Sequence, residues 1–223
     1  MKLYYSPISV YSAKPRIAMF EKAIAHETRL VNWTPATGWI KPEELSQLNP
    51  KAQIPVLVAG EAVIYDSTII VEYLDERFPK PALFPSGVAE RARCRILEDL
   101  GDTLLAPTLG VLVREVFLKP DPSTRDRDAV AGVMAELTRQ YQRLDRELGK
   151  REYLCGEFSV ADISCFSPIN LTSMMQAAPP VECTNLSAWV SRMRERPSVS
   201  RYLAEFADAL KQLSAPAAES AHA

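Results

Sequence analysis

Histidine is almost missing from this chain of 223 residues, where His26 and His222 are the only two. A Ser-His-Asp hydrolase that rests on a histidine outside the first strand-helix unit is thereby excluded. His26, expected at the surface between a helix and a strand, is a poor general base. His222 falls in a tail, 214–223, whose Ala-Pro-Ala-Ala-Glu run predicts disorder. Glycine is scarce at 8 residues, and none stands in a G-x-G-x-x-G or Walker spacing, so nucleotide binding has no sequence support. Cys94, Cys155, Cys165 and Cys183 make no Cys-x-x-Cys pair and have no histidine beside them, which argues against a zinc site or a disulfide framework and for reduced core thiols. No metal is expected. A net charge of −2 provides no basic field for nucleic acid or anionic lipid. No apolar run is long enough to span a bilayer, and Lys2 is followed at once by Leu3-Tyr4-Tyr5 rather than by a leader, so a cytoplasmic location is expected.

What is present is concentrated between Asn49 and Phe78. The stretch reads as strand, turn, strand and then a helix opening on Asp66-Ser67, with Pro55 at the start of the first strand. Proline has no N–H and is tolerated only at a strand start or edge, so the main chain of Ile54 is left to pair with something other than the sheet. A cis Ile54–Pro55 bond turns that main chain outward. At the head of the following helix, free N–H groups and the helix dipole make an anion site. A peptide-like ligand with a carboxylate end fits both features.

Upstream, Lys2–Tyr5 suits a strand, 13–24 a helix with Ile17, Phe20 and Ile24 on one face, 27–31 a second strand and 42–48 a short helix. The order β-α-β-α-β-β-α is the plan of a thioredoxin-like α/β domain, expected over 1–79. The proline-rich stretch after Phe78 reads as a linker over 80–87. Beyond it an all-α helical bundle is expected over 88–213, with helices at 88–117, 124–149, 159–176, 185–196 and 198–213. Within it, Phe158-Ser159-Val160-Ala161-Asp162-Ile163 reads as a capping box with a hydrophobic staple. That reading accounts for Asp162 without any catalytic role.

A thioredoxin-like domain carrying Gln53-Ile54-Pro55 and Asp66-Ser67, a proline-rich linker and a helical domain with Gly-x-x-Ser-Val-Ala-Asp together resemble the soluble, cytosolic-type glutathione transferases. The resemblance runs from Met1 to about Leu213 and is closest to serine-type, zeta- and theta-like bacterial members. It implies that glutathione is the co-substrate, held by the main chain of Ile54 ahead of Pro55, by Asp66 and Ser67 at its γ-glutamyl end, and by Gln53. Lys41 and Trp39 are implied near the glycyl carboxylate.

The residue that activates the thiol is implied by alignment of the first loop. Ser9 matches the serine of the zeta and theta classes and the first cysteine of a glutaredoxin-like Cys-x-x-Cys, so Ser9-Val10-Tyr11-Ser12 looks like that motif with both sulfurs replaced by oxygen. Tyr5, which matches the tyrosine of the alpha, mu and pi classes, and Tyr11 and Ser12 remain alternates. A hydroxyl that donates to sulfur favours the thiolate and needs no general base. The second substrate is expected between the domains, against Leu105, Leu109, Leu112 and Met174, with Phe117 and Met175 beside them and Arg114 as the one nearby charge. The leading function is conjugation of the glutathione thiolate to an apolar electrophile. The alternatives are a glutathione-dependent isomerase of the maleylacetoacetate type, against which Ser9-Val10-Tyr11 replaces that class's Ser-Ser-Cys, and a non-catalytic protein-binding module. The resemblance also implies a homodimer, with no nucleic acid and no membrane.

Overall fold

A computed structural model of the protein describes residues 1–214. The expected tail lies outside the described residues except for Ser214, which ends the last helix. The first half contains β1 (Lys2–Tyr5), α1 (Val10–Glu21), β2 (Glu27–Leu30), β3 (Asn32–Thr34), β4 (Gly38–Ile40), α2 (Glu44–Leu48), β5 (Val56–Ala59), β6 (Ala62–Tyr65) and α3 (Ser67–Arg77). Four strands form one mixed sheet in the order β2-β1-β5-β6, with β1 parallel to β2 and antiparallel to β5. Side chains alternate across it. Leu3, Tyr5 and Leu57 join the main core with Ile17 of α1 and Ile70 and Leu74 of α3, whereas Tyr4 and Val56 pack on Leu45 of α2. This is a thioredoxin-like domain.

Two features differ from the sequence reading. Helix α1 starts at Val10 rather than 13, so Pro15 lies beyond its first turn, where the ring leaves the Tyr11 carbonyl without its usual helical donor. The residues between β2 and α2, to which the sequence reading assigned no element, form the β3-β4 ribbon, in which Trp33 lies opposite Trp39. Its turn is closed by Thr34 Oγ1, which accepts from the Thr37 N–H at 3.1 Å, and by Gly38 at φ 68°.

The second half is helical: α4 (Val88–Leu100), α5 (Thr108–Leu112), α6 (Arg127–Leu148), α7 (Val160–Met174), α8 (Thr184–Glu195) and α9 (Pro197–Ser214). The single helix expected over 88–117 is a helical path broken by π-helical turns at Gly101–Leu105 and Val113–Phe117. Helix α7 is buried along most of its length and packs on α4 and, across the domain boundary, on α1. Gly101 permits this approach, since a Cβ there would lie 2.6 Å from the Ser164 main chain.

The halves are also joined by buried charge. Lys22 donates to Asp75 Oδ1 at 2.7 Å and to the carbonyls of Phe78 and Pro81, fixing the segment that leads out of α3. Arg16 pairs with Glu205 of α9, and Tyr202 of the same helix donates to the Pro7 carbonyl at 2.7 Å.

Candidate functional site

The loop after β1 is stitched tightly. The Ser9 N–H bonds the Ser6 carbonyl at 3.1 Å, and Ser12 Oγ accepts from the Ser6 N–H at 3.4 Å. Ser9 is the N-cap of α1, and its Oγ accepts from the Ser12 N–H at 3.3 Å. That bond uses an oxygen lone pair and leaves the hydroxyl proton free. Among the described residues nothing receives it.

Across from this loop, the Ile54–Pro55 peptide bond is cis, and the Ile54 main chain makes no hydrogen bond within the described residues. The approach to it is shaped by Asn49, which is buried and donates from Nδ2 to the Gln53 carbonyl at 2.8 Å while its Oδ1 accepts from the Lys51 N–H at 3.0 Å. Next comes the head of α3. Asp66 caps it through Oδ1 to the Thr68 N–H at 3.0 Å. Its φ of 76° is a conformation that costs a residue with a side chain roughly 1–3 kcal/mol, a cost concentrated at binding sites in general. Ser67 follows, with its hydroxyl unpaired among the described residues.

These pieces face one cavity of about 670 Å³. Ser9, Gln53, Ile54, Pro55, Asp66 and Ser67 line one side of it, with Trp39 and Lys41 at the edge. The opposite side is helical and comes from Ala106, Leu109, Gly110, Val113, Arg114 and Phe117. Met175 closes the end.

Several expected residues lie elsewhere. Tyr5 is buried on the α9 side and donates to Glu205 Oε2 at 3.1 Å, and burial pushes its hydroxyl up to about 12. Ser12 is wholly buried beneath the loop. Leu105 and Leu112 are core residues with no exposed surface, and Met174 points outward at 56% exposure. Cavity-facing positions 106, 109, 110, 113, 114, 117 follow the helical stripe one residue on from 105 and 112, so the most apolar stripe packs inward and the mixed one lines the cleft. Tyr11 does line the cavity, but its hydroxyl donates to the Asp102 carbonyl at 3.3 Å, and burial first and Asp102 second raise its pKa. His26 has both ring nitrogens engaged, Nδ1 with the Ile24 carbonyl at 2.7 Å and Nε2 with Arg16, and burial lowers its pKa.

Sequence reasoning missed the polar junction directly under the α3 head. Lys14, fully buried, donates to Thr68 Oγ1 at 2.9 Å, Glu98 Oε1 at 2.8 Å and Asp102 Oδ2 at 2.5 Å. Thr68 in turn donates to Glu98 at 2.9 Å, and Ser164 of α7 donates to Asp102 Oδ1 at 3.1 Å. A lysine at the Pro15-flanked position of an otherwise apolar helix face was its sequence signal. The junction ties the residue after Ser67 to the helical domain. Thr68→Val, which keeps the shape and removes both bonds, is expected to lower stability by about 1–3 kcal/mol, read as a drop in denaturant midpoint.

Comparison with known proteins identifies the family. Residues 3–82 match the glutathione S-transferase N-terminal domain and residues 105–197 the glutathione S-transferase C-terminal domain. The chain belongs to the glutathione transferase family. It is 27% identical over 216 residues to a stringent starvation protein A homolog of Coxiella burnetii, covering 96% of both chains. Glutathione S-transferase 2 of Saccharomyces cerevisiae is 29% identical, with 91% of this chain and 89% of that one covered. The theta class glutathione S-transferase of Xanthomonas axonopodis pv. citri, solved with glutathione bound, has a TM-score of 0.78 at 28% identity over 90% of this chain and 95% of that one. No described helix is long and apolar enough to cross a membrane.

Proposed function

We propose that the protein is a cytoplasmic glutathione transferase that joins the glutathione thiolate to an electrophilic small molecule. The observation that carries this reading is the meeting, in one cavity, of a main chain freed ahead of a cis proline, a serine-headed helix and a serine hydroxyl with an unclaimed proton. Ile54 pairs with the cysteinyl main chain. Ser67 and the first N–H groups of α3 receive the γ-glutamyl carboxylate. Gln53 and Lys41 lie on the side where the remaining peptide and its glycyl carboxylate extend.

Ser9 donates a hydrogen bond from its hydroxyl to the sulfur and the head of α1 adds positive partial charge, so that the thiol loses its own proton to water near neutral pH. The thiolate then attacks the electrophilic carbon. A C–S bond forms, and the leaving group departs with the bonding electrons. The apolar helical wall at Leu109 and Met175 holds the second substrate against the sulfur.

Isothermal calorimetry tests the reading: glutathione is expected to bind, and Ser67→Ala to weaken it about tenfold or more, the worth of a hydrogen bond to a charged group. No uptake at millimolar concentration removes the proposal. A binding role without chemistry is favoured by one observation, the full-length relative that bears a stringent starvation protein name. Glutathione binding with no turnover of a generic aromatic halide selects that reading. A two-fold dimer is also proposed, through the exposed Val63, Ile69 and Ile96 on β6, α3 and α4, and sedimentation velocity reads it directly.

A further inference from the structure

Beside Trp39, which the family resemblance had implied near the glycyl carboxylate, the β3-β4 ribbon brings Trp33 to the cavity. Trp33 and Trp39 are directly opposed across the ribbon, so both side chains stand on one face, and both line the cavity. Trp33 reaches the ring of Phe117 in the helical domain, centroid to centroid 6.4 Å at 52°. Trp39 and Phe117 nonetheless remain 38% and 44% exposed, an aromatic surface left uncovered at the cavity wall.

Charge around the cavity is mostly positive. The cavity is lined by Lys41, Lys51 and Arg114 against a single carboxylate, Asp66. Arg114 differs from the rim lysines because it is aimed. Its Nε donates to Glu115 Oε1 at 2.8 Å, and Glu115 is itself immobilised, with 3% side-chain exposure, by Lys119 at 2.6 Å and the Asp126 N–H at 2.9 Å through Oε2. Among the described residues the two terminal nitrogens of Arg114 have no partner. A guanidinium anchored at Nε with its outer edge open presents the fork that matches a carboxylate.

We propose that the second substrate is an aromatic acid: an electrophilic ring laid on the exposed aromatic surface of Trp39 and Phe117 beside Trp33, whose carboxylate is read by Arg114. This rests on the glutathione transferase reading and specifies the class of molecule that the same site selects. Specificity then comes from a residue that takes no part in activating the thiol. The neutral analogue leaves Arg114 without its anion.

A matched pair of probes, differing only in a nitro or a carboxylate at ring position 4, tests this without requiring turnover: S-(2,4-dinitrophenyl)glutathione and S-(4-carboxy-2-nitrophenyl)glutathione, titrated while tryptophan fluorescence is followed. Trp33 and Trp39 report from the cavity at contact, Trp189 in the helical core is quenched only at a distance, and the saturation curve gives the affinity. The carboxylated conjugate is expected to bind about tenfold or more tightly than the neutral one, on the scale of a charge-assisted bond. Arg114→Gln is expected to bring the two within about twofold while the neutral conjugate keeps its affinity. Equal affinities in the native protein, or a preference that survives Arg114→Gln and so belongs to the lysine rim, overturns the inference. If glutathione still binds in calorimetry, only this inference falls; if neither glutathione nor either conjugate binds, the transferase reading falls with it.

Discussion

Ser9→Ala is expected to lower kcat/KM toward a generic aromatic halide by about ten- to fiftyfold near pH 6.5, and to leave it almost unchanged above pH 9. A glutathione thiol in water has a pKa of about 8.5, like free cysteine. One hydrogen bond from Ser9 and the α1 dipole together are assigned a drop of about two units, roughly 2.7 kcal/mol at 1.36 kcal/mol per unit. Removal of the hydroxyl returns the acid limb of the rate profile toward 8.5. Because depression of the pKa matters only where the free thiol is protonated, the deficit shrinks as pH rises through the range between the two values. Loss of the N-cap also costs the fold about 0.5–2 kcal/mol, so rates are compared well below the melting temperature. Two companion variants separate the alternates. Tyr5→Phe is expected to leave the profile in place, since that hydroxyl faces Glu205. Tyr11→Phe, which removes a bond to the Asp102 carbonyl, is expected to change the rate by less than about threefold without moving the limb. If the limb moves in Tyr11→Phe and not in Ser9→Ala, the assignment passes to Tyr11.

How far this site was legible follows from where its signals reside. Pro55, Asp66 and Ser67 are short-range punctuation: a missing donor before a strand and a cap before a helix, readable without tertiary context. The thioredoxin-like order followed from them and from the strand and helix periodicities. The β3-β4 ribbon did not, because its strands are three residues each and the pattern Trp33 to Trp39 is interrupted by Pro35. A window that short carries no usable period. Gly38 beyond the Thr34–Thr37 turn was the available hint.

The helical wall failed for another reason. Hydrophobic periodicity identifies the stripe that is most apolar, and Leu105 and Leu112 belong to it, but a ligand cavity takes the neighbouring stripe, where Ala106, Gly110 and Arg114 make room and supply charge. The π-helical turns at 101–105 and 113–117 add a further shift that no α-period template contains. Met174 and Met175 show the same one-residue problem at a helix end, where one is 56% exposed and the other 9%. The lysine on the apolar face of α1 was a visible anomaly, but its partners Glu98 and Asp102 lie more than 80 residues away and could not be paired with it from sequence.

Asp162→Ala is expected to lower stability by about 3–5 kcal/mol, the cost of three buried donors left unpaired, and the melting temperature by roughly 10 °C or more. The sequence assigned this residue to a capping box, which carries about 0.5–2 kcal/mol. The structure gives it more to hold. Its Oδ2 accepts from the Ser159 N–H at 3.0 Å and the Ser159 hydroxyl at 3.1 Å, and its Oδ1 accepts from the Leu154 N–H at 2.9 Å and Trp189 Nε1–H at 2.8 Å. The carboxylate has no exposed surface, so its deletion strands two backbone donors and an indole donor out of reach of water. It sits away from the cavity, and the folded fraction of Asp162→Ala is expected to keep native turnover at low temperature. A pH series distinguishes this hub from an ordinary cap. Burial raises its carboxyl to about 6 from the usual 3.8, against the pull of the four donors. A folded pKa above the unfolded one means that the native state holds the proton more tightly. The stabilising contribution is full below about pH 4 and is lost as pH rises to and through 6, by about 3 kcal/mol at 1.36 kcal/mol per unit. Asp162→Asn, which cannot ionise, lacks this change, so its deficit relative to the native protein is expected to narrow between pH 4 and 7. A deficit that widens over that range would show that the four donors outweigh burial and hold the carboxyl below its usual value.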